Sequence, residues 1–217
     1  MTYFATNRSH VNPLAALDGR LGLRVSQAGS IWAVGAHFTL HNDPALVILP
    51  TGSGKTAVMT LIPYMLAAER ALVVTPSTLV RDQVDREFRT LSVAKATGAA
   101  ERDLEPPRVN RVAHRITTTE TWESMREYDV VVGLPNCLSP AISGVAAPPE
   151  DLFDLVIIDE AHHAAAATWA SLLLAFPLAR RVLLTATPFR HDTRRVPGTT
   201  VYEYPLSKAI ADGIYQT

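Results

Sequence analysis

The sequence predicts an α/β protein, an open and mostly parallel sheet with helices on both faces. Three observations predict it. Short segments at 45–49, 71–74, 130–132, 155–158 and 182–184 are continuously apolar rather than alternating, as strands covered on both faces must be. Stretches of helical character separate them, and that alternation builds parallel sheets. A glycine-rich turn at 49–56 joins the first strand to the first long helix after it, a junction where open α/β sheets bind anions.

The elements follow in order. Residues 1–44 read as a preface packed on the main domain, 45–217, and contain a helix over 26–38. A helix over 56–70 follows the glycine-rich turn. Pro63 should kink it, because proline removes a backbone donor. The helix over 77–91 opens at Pro76-Ser77, a start signal. The helix over 119–127 opens with Thr119, Trp122 and Glu123 in a capping arrangement, and another spans 164–175. Residues 99–107, 135–150 and 190–198 read as surface loops. A short strand at 199–204 and a helix at 207–212 come last.

Composition narrows the function. The chain has 217 residues, 47% hydrophobic and 19% charged, enough apolar surface for a core and too much for a disordered chain. No apolar run approaches the roughly 18 residues needed to cross a bilayer; the longest candidate, 169–179, contains Pro177. The first ten residues lack the charged start and apolar stretch of a secretory signal. Cys137 is the single cysteine, so a cytoplasmic protein without disulfides is expected. A net charge of −1 excludes a strongly basic coat for nucleic acid but leaves room for a local basic groove. Arg180, Arg181, Arg190, Arg194 and Arg195 form such a cluster, suited to a phosphate backbone or to plain solvation.

The sequence Leu49-Pro-Thr-Gly-Ser-Gly-Lys-Thr56 stands between a strand and a helix, the context a phosphate-binding loop requires. Gly52 and Gly54 let the backbone curl close to phosphate. The amides of Thr51, Ser53 and their neighbours face the anion with the helix N-terminus. Lys55 reaches the terminal phosphates and the Thr56 hydroxyl holds Mg²⁺. The strict motif has glycine where Leu49 stands, so the loop must begin in a backbone conformation that leucine accepts. ATP with Mg²⁺ is the expected cofactor pair.

Residues 155–160 form an apolar strand ending in Asp159 and Glu160. Acids at the C-terminal end of a parallel strand stand where such sheets bind ligands, and alternation points the two in different directions. Asp159 then serves Mg²⁺, a hard cation that prefers oxygen, and Glu160 polarises the attacking water. His162, His163, His114 and Cys137 lack zinc spacing, so no zinc site is expected.

Together these residues resemble a superfamily 2 helicase of the DEAD/DEAH-box type, nearest to the group that includes type III restriction motor subunits. Residues 49–56 look like motif I and 73–83 like motif Ia. Asp159-Glu-Ala-His162 looks like motif II, and Leu184-Thr-Ala-Thr-Pro188 like motif III. The resemblance implies a RecA-like P-loop domain, the first of two motor domains. It implies an adenine-reading role for Arg24 and Gln27, and Gln27 alone carries the preference for ATP over GTP. Thr75, Pro76 and Arg81 would touch the nucleic-acid backbone; for Arg81 a surface ion pair with Asp82 or Asp85 is the alternative. Thr185, Thr187 and His162 would couple the nucleotide site to movement, the threonine hydroxyls bonding motif II residues. Residues 133–139 lie where a further nucleic-acid contact falls in such motors. The implied partners are DNA, ahead of RNA, and a second motor domain carrying an arginine finger, which lies in a longer chain or in another subunit. Two other readings stand beside this one, a nucleotide-dependent switch module with little hydrolysis and a duplex DNA translocase of a restriction or phage-defence system.

Overall fold

The computed structural model describes every residue except 1, 15, 17–20, 162–166, 188–195 and 215–217. The chain runs α1 (Tyr3–Thr6), a 3₁₀ turn (Arg8–His10), α2 (Val25–Leu40), β1 (Ala45–Ile48), α3 (Lys55–Met65), β2 (Ala71–Val74), α4 (Thr78–Thr90) and α5 (Ser92–Ala96). It continues through β3 (Val109–Arg111), α6 (Thr119–Glu123), a 3₁₀ turn (Ser124–Glu127), β4 (Val130–Gly133), α7 (Pro135–Leu138) and β5 (Leu155–Ile158). The last elements are α8 (Ala167–Ala175), β6 (Arg180–Thr185), β7 (Thr199–Glu203) and α9 (Leu206–Ala211).

The strands form one sheet in the order β3-β4-β2-β5-β6-β1-β7, and every neighbouring pair is parallel. β1, β2, β4 and β5 are wholly buried and β6 mostly so, as continuous apolar runs demand, while β3 at one edge is partly exposed. β7, at the other edge, is largely exposed. Val47, Val73 and Ile157 face a core layer shared with α2 and α3; Leu46, Leu72 and Val156 face the other, around Trp122, Phe153 and Phe176. Phe4 of α1 is fully buried, 4.8 Å from the Tyr64 ring of α3.

Several elements depart from the sequence expectations. The helix begun at Lys55 runs past Pro63 but closes at Met65 rather than near residue 70. Ala67 turns left-handed (φ 47), its amide donates to Tyr64 O, and the Ala68 amide donates to Pro63 O. That paired closure satisfies the last carbonyls of the helix. Leu91, also left-handed at φ 53, separates α4 from α5. α5 and β3 were not foreseen, because five and three residues carry too little periodicity to register. α7 lies within a stretch expected to be all loop. The start expected near 164 for α8 lies outside the described residues. Ser77 caps α4 by accepting from Val80 N, and Thr118 rather than Thr119 caps α6 by accepting from Thr121 N.

The basic cluster expected near 180–195 does not form as one surface among the described residues. Arg180 turns inward, donating to Leu66 O at 2.8 Å and to Asp154 at 2.7 Å. Arg181 is half-buried and donates to Pro177 O. Arg190, Arg194 and Arg195 lie outside the described residues.

Candidate active site

The site lies along the C-terminal edge of the sheet, where β1, β5 and β6 end side by side. Leu49 extends β1: its amide donates to Thr185 O at 2.9 Å and its side chain is fully buried. The missing motif glycine is thus explained, because this position belongs to a strand, needs no left-handed backbone, and gains from an apolar side chain in the core. The turn itself begins at Pro50. Ser53 closes it with its amide and its hydroxyl, both donating to Pro50 O, the hydroxyl at 2.6 Å. The Ser53 side chain therefore shapes the loop. Gly52 and Gly54 are left-handed, at φ 83 and 86, a region glycine enters without strain. α3 starts directly after Gly54. The amides of Lys55 and Thr56 belong to its first turn, which offers them no partner within the helix, and Thr56 is partly exposed.

The N-terminal segment braces this loop. Gln27 is buried in the first turn of α2; its Oε1 accepts from Arg24 N at 2.9 Å and its Nε2 donates to Gly54 O at 3.2 Å. A side chain on Gly54 would meet Gln27 Nε2 at 2.1 Å, so that glycine serves the close approach as well as the turn. Arg24 donates to Gly52 O at 2.6 Å. The two residues expected to read a base are bonded here to the phosphate-loop backbone.

Asp159 and Glu160 end β5. Asp159 is buried, and its amide donates to Val74 O at 2.9 Å. Burial pushes its carboxyl up to about 6, with Lys55 opposing the rise and Glu160 adding to it. Its Oδ1 is buried without a hydrogen-bond partner. Glu160 turns left-handed, at φ 52, a strained conformation for a non-glycine residue. That turn brings Glu160 Oε1 to 2.9 Å from Lys55 Nζ. Motif I and motif II, remote in sequence, meet in that ion pair.

These residues suit Mg²⁺ and a phosphate. Asp159 offers an unbonded hard oxygen and Thr56 an accessible hydroxyl. No group of three or more His, Cys, Asp or Glu side chains stands together among the described residues. Mg²⁺ needs none, since it keeps much of its water and binds through one or two carboxylates.

The other expected residues fall into three groups. Thr185 is buried at the end of β6; its hydroxyl donates to Thr187 O at 2.8 Å and accepts from Thr187 N at 3.2 Å, so these bonds tie motif III to itself. His162 lies outside the described residues. In motif Ia, Pro76, Ser77 and Thr78 reach the surface, but Thr75 is fully buried. An external strand cannot touch its side chain, because Thr75 continues the inward alternation of β2. Arg81 is also buried, donating to Asp82 at 3.0 Å and to Val112 O at 3.1 Å. It ties α4 to the segment after β3, and its ion pair is with Asp82.

One wall of the site escaped sequence reasoning. A cavity of about 290 Å³ beside the loop is lined by Pro50, Thr51, Thr187, Glu203, Tyr204 and Leu206, among others. β7 and α9 bring Glu203 and Leu206 there through a parallel pairing with β1, and no local motif marks such a pairing.

A parallel sheet, a phosphate-type loop at the end of one strand and a carboxylate pair at the end of another define a RecA-like motor domain of the superfamily 2 helicase class. The chain belongs to the family "type III restriction enzyme, res subunit", whose profile matches residues 20–190. It is similar to a type I restriction enzyme EcoAI endonuclease subunit of Escherichia coli, 28% identical over 181 residues, covering 77% of this chain and 20% of that protein. In fold it is similar to a nuclease-deletion mutant of the type ISP restriction-modification enzyme LlaGI solved in complex with a DNA substrate mimic. The TM-score there is 0.59 at 17% identity, over 90% of this chain and 21% of that one. The UvsW helicase of bacteriophage T4 shares the fold at TM-score 0.53 and 15% identity, over 85% of this chain and 59% of that one. The chain spans about a fifth of the length of the two restriction enzymes. No helix among the described residues is long and apolar enough to cross a membrane.

Proposed function

We propose that the chain is the ATP-binding half of a nucleic-acid-dependent motor, hydrolysing ATP to ADP and phosphate to drive movement on DNA or RNA with a second motor domain. The observation that carries this reading is the 2.9 Å contact between Lys55 and Glu160. It joins a cation and a carboxylate from two distant motifs beside the loop that, in this reading, holds the phosphates. Lys55 leaves Glu160 for the phosphate oxygens when nucleotide binds, and Glu160, released, orients the attacking water. Thr56 and Asp159 would hold Mg²⁺, which when bound neutralises charge on the phosphates. Gln27 and Arg24 hold the loop in register, and an adenine contact by either falls to groups beyond the bonds described above. Pro76 and the exposed backbone after it meet the strand. Thr185, Thr187 and His162 couple the site to a partner domain. Such a domain supplies the arginine finger that stabilises the transferring phosphoryl group.

DNA is the preferred track, and duplex translocation in a restriction system is the preferred biology, because two of the three relatives named above are restriction enzymes and one of these was solved with a DNA mimic. The test is ATP hydrolysis by the 217-residue chain alone and with single-stranded DNA, duplex DNA and RNA. Lys55→Ala and Glu160→Gln serve as blanks. Stimulation by duplex DNA above both blanks is the expected result. A rate indistinguishable from the Lys55→Ala blank, with nucleotide still bound, would leave the switch-module reading instead.

A further inference from the structure

We propose that the Thr75 hydroxyl is a positioning group for Asp159 and for the hydrated cation that Asp159 holds, and not a contact to the nucleic-acid strand. The inference rests on the reading of residues 49–56 and 159–160 as an ATP and Mg²⁺ site.

Thr75 is fully buried and its Oγ1 has no hydrogen-bond partner; Asp159 is buried and its Oδ1 has none either. Unpaired buried polar atoms are few in native structures, and each asks for a reason. These two are neighbours. β2 and β5 pair in parallel, Val73 opposite Ile157 and Val74 opposite Ile158. One further step sets Thr75 beside Asp159, and the bond from Asp159 N to Val74 O at 2.9 Å holds that step. Side chains alternate along a strand. Val73 and Ile157 lie in the core layer shared with α3, so Thr75 and Asp159 point toward α3 as well, the helix that Lys55 and Thr56 begin.

The two oxygens do not bond each other, although adjacent strands are only about 4.8 Å apart. Two short side chains at that spacing leave room for a water between them. A buried hydroxyl of α3 itself, that of Thr60, is already committed to Thr56 O at 2.9 Å. A purely structural role for Thr75 does not account for the hydroxyl, because valine has the same shape and strands no polar atom. A water held between Thr75 and Asp159 does account for it. That water fixes the carboxylate's orientation and forms part of the hydration shell that Mg²⁺ retains.

The test uses the full chain with Thr75→Val, Thr75→Ser, Asp159→Asn and the double variant Thr75→Val/Asp159→Asn. Two quantities are read: the thermal midpoint without nucleotide, and the affinity for a fluorescent ADP with Mg²⁺ and with a chelator. Thr75→Val should hold or raise the midpoint and leave the chelator affinity unchanged. It should weaken the gain conferred by Mg²⁺ on the order of tenfold. Thr75→Ser should restore that gain, and Thr75→Val should add no further loss to Asp159→Asn. A Mg²⁺ gain unchanged in Thr75→Val overturns the proposal, and a lowered midpoint beside it would assign the hydroxyl a structural partner. Lys55→Ala separates the two levels of the argument. A wild-type affinity no better than that variant's sinks the nucleotide reading, and this inference with it. A clear Lys55 dependence with no Thr75 effect sinks this inference alone.

Discussion

Where β2 and β5 begin, Asp154 and Arg70 are fully engaged by the fold, although the buried Nε of Arg181, early in β6, has no partner. Asp154, just before β5, accepts from the amides of Glu69 and Arg70 at 2.8 and 2.9 Å and from Arg180 at 2.7 Å. Arg70 donates to the carbonyls of Tyr128, Leu152 and Arg126 at 3.1, 2.9 and 3.2 Å. Where the same strands end, buried oxygens of Thr75 and Asp159 have no partner, Asp159 titrates high, and Glu160 sits left-handed. At the first edge Asp154 and Arg70 have spent their hydrogen-bonding capacity on the fold. The second keeps some in reserve, at a cost in stability, which is how a binding edge differs from a structural one.

Substitutions at the two edges should therefore have opposite signs. The largest effect is expected at the structural edge. Arg70→Ala strands three carbonyls and should destabilise the chain by about 3 kcal/mol, read as a lower urea midpoint with an unchanged slope. A loss near zero would break the comparison at that end.

Next comes Asp159→Asn, which should stabilise the nucleotide-free chain. The unfolded carboxyl titrates near 3.8 and the folded one near 6. Below about pH 4 both states are protonated and the substitution is nearly neutral. Between about pH 4 and pH 6 the unfolded carboxyl is ionised while the native one keeps its proton, so the gain grows across that window and levels off above it at on the order of 2 kcal/mol. Urea titrations at pH 4 and pH 8 measure it. A gain independent of pH would show that burial of charge is not the cause.

The smallest effect is expected for Glu160→Gly. Glycine accepts the left-handed turn, so stability should rise by roughly 1 kcal/mol, offset in part by the lost ion pair with Lys55. Nucleic-acid-stimulated hydrolysis should disappear in the same variant. A more stable and inactive protein sharpens the contrast; a less stable one would show that the ion pair outweighs the strain.

Much of this was legible in the residues. Continuous apolar runs announced five of the strands, because a strand covered on both faces cannot alternate. The loop from Pro50 to Thr56 and the acids at 159 and 160 were legible because a glycine-rich strand-to-helix turn and paired acids at a strand end are local patterns. β3 was not, being three residues long and partly exposed. The resemblance places Thr75 on a strand-binding surface because it carries motif Ia over as a unit. Which member of a motif faces outward depends on where the strand stops alternating, and that is set by packing. Arg81 illustrates the same limit: an arginine on an otherwise amphipathic helix reads as surface, until Asp82 and the Val112 carbonyl draw it in.

The sequence by itself determined the layer architecture, the phosphate-type loop and the identity of the two acids, since hydrophobic periodicity and ligand chemistry are local properties. Only the tertiary structure decided that Leu49 belongs to a strand, that Gln27 and Arg24 clamp the loop, and that Lys55 meets Glu160. It also decided that Thr75 and Asp159 stand on adjacent strands, each with a buried oxygen that has no partner. Each of these depends on strand order and register, which bring together residues far apart in the chain, and neither can be read from any window of it.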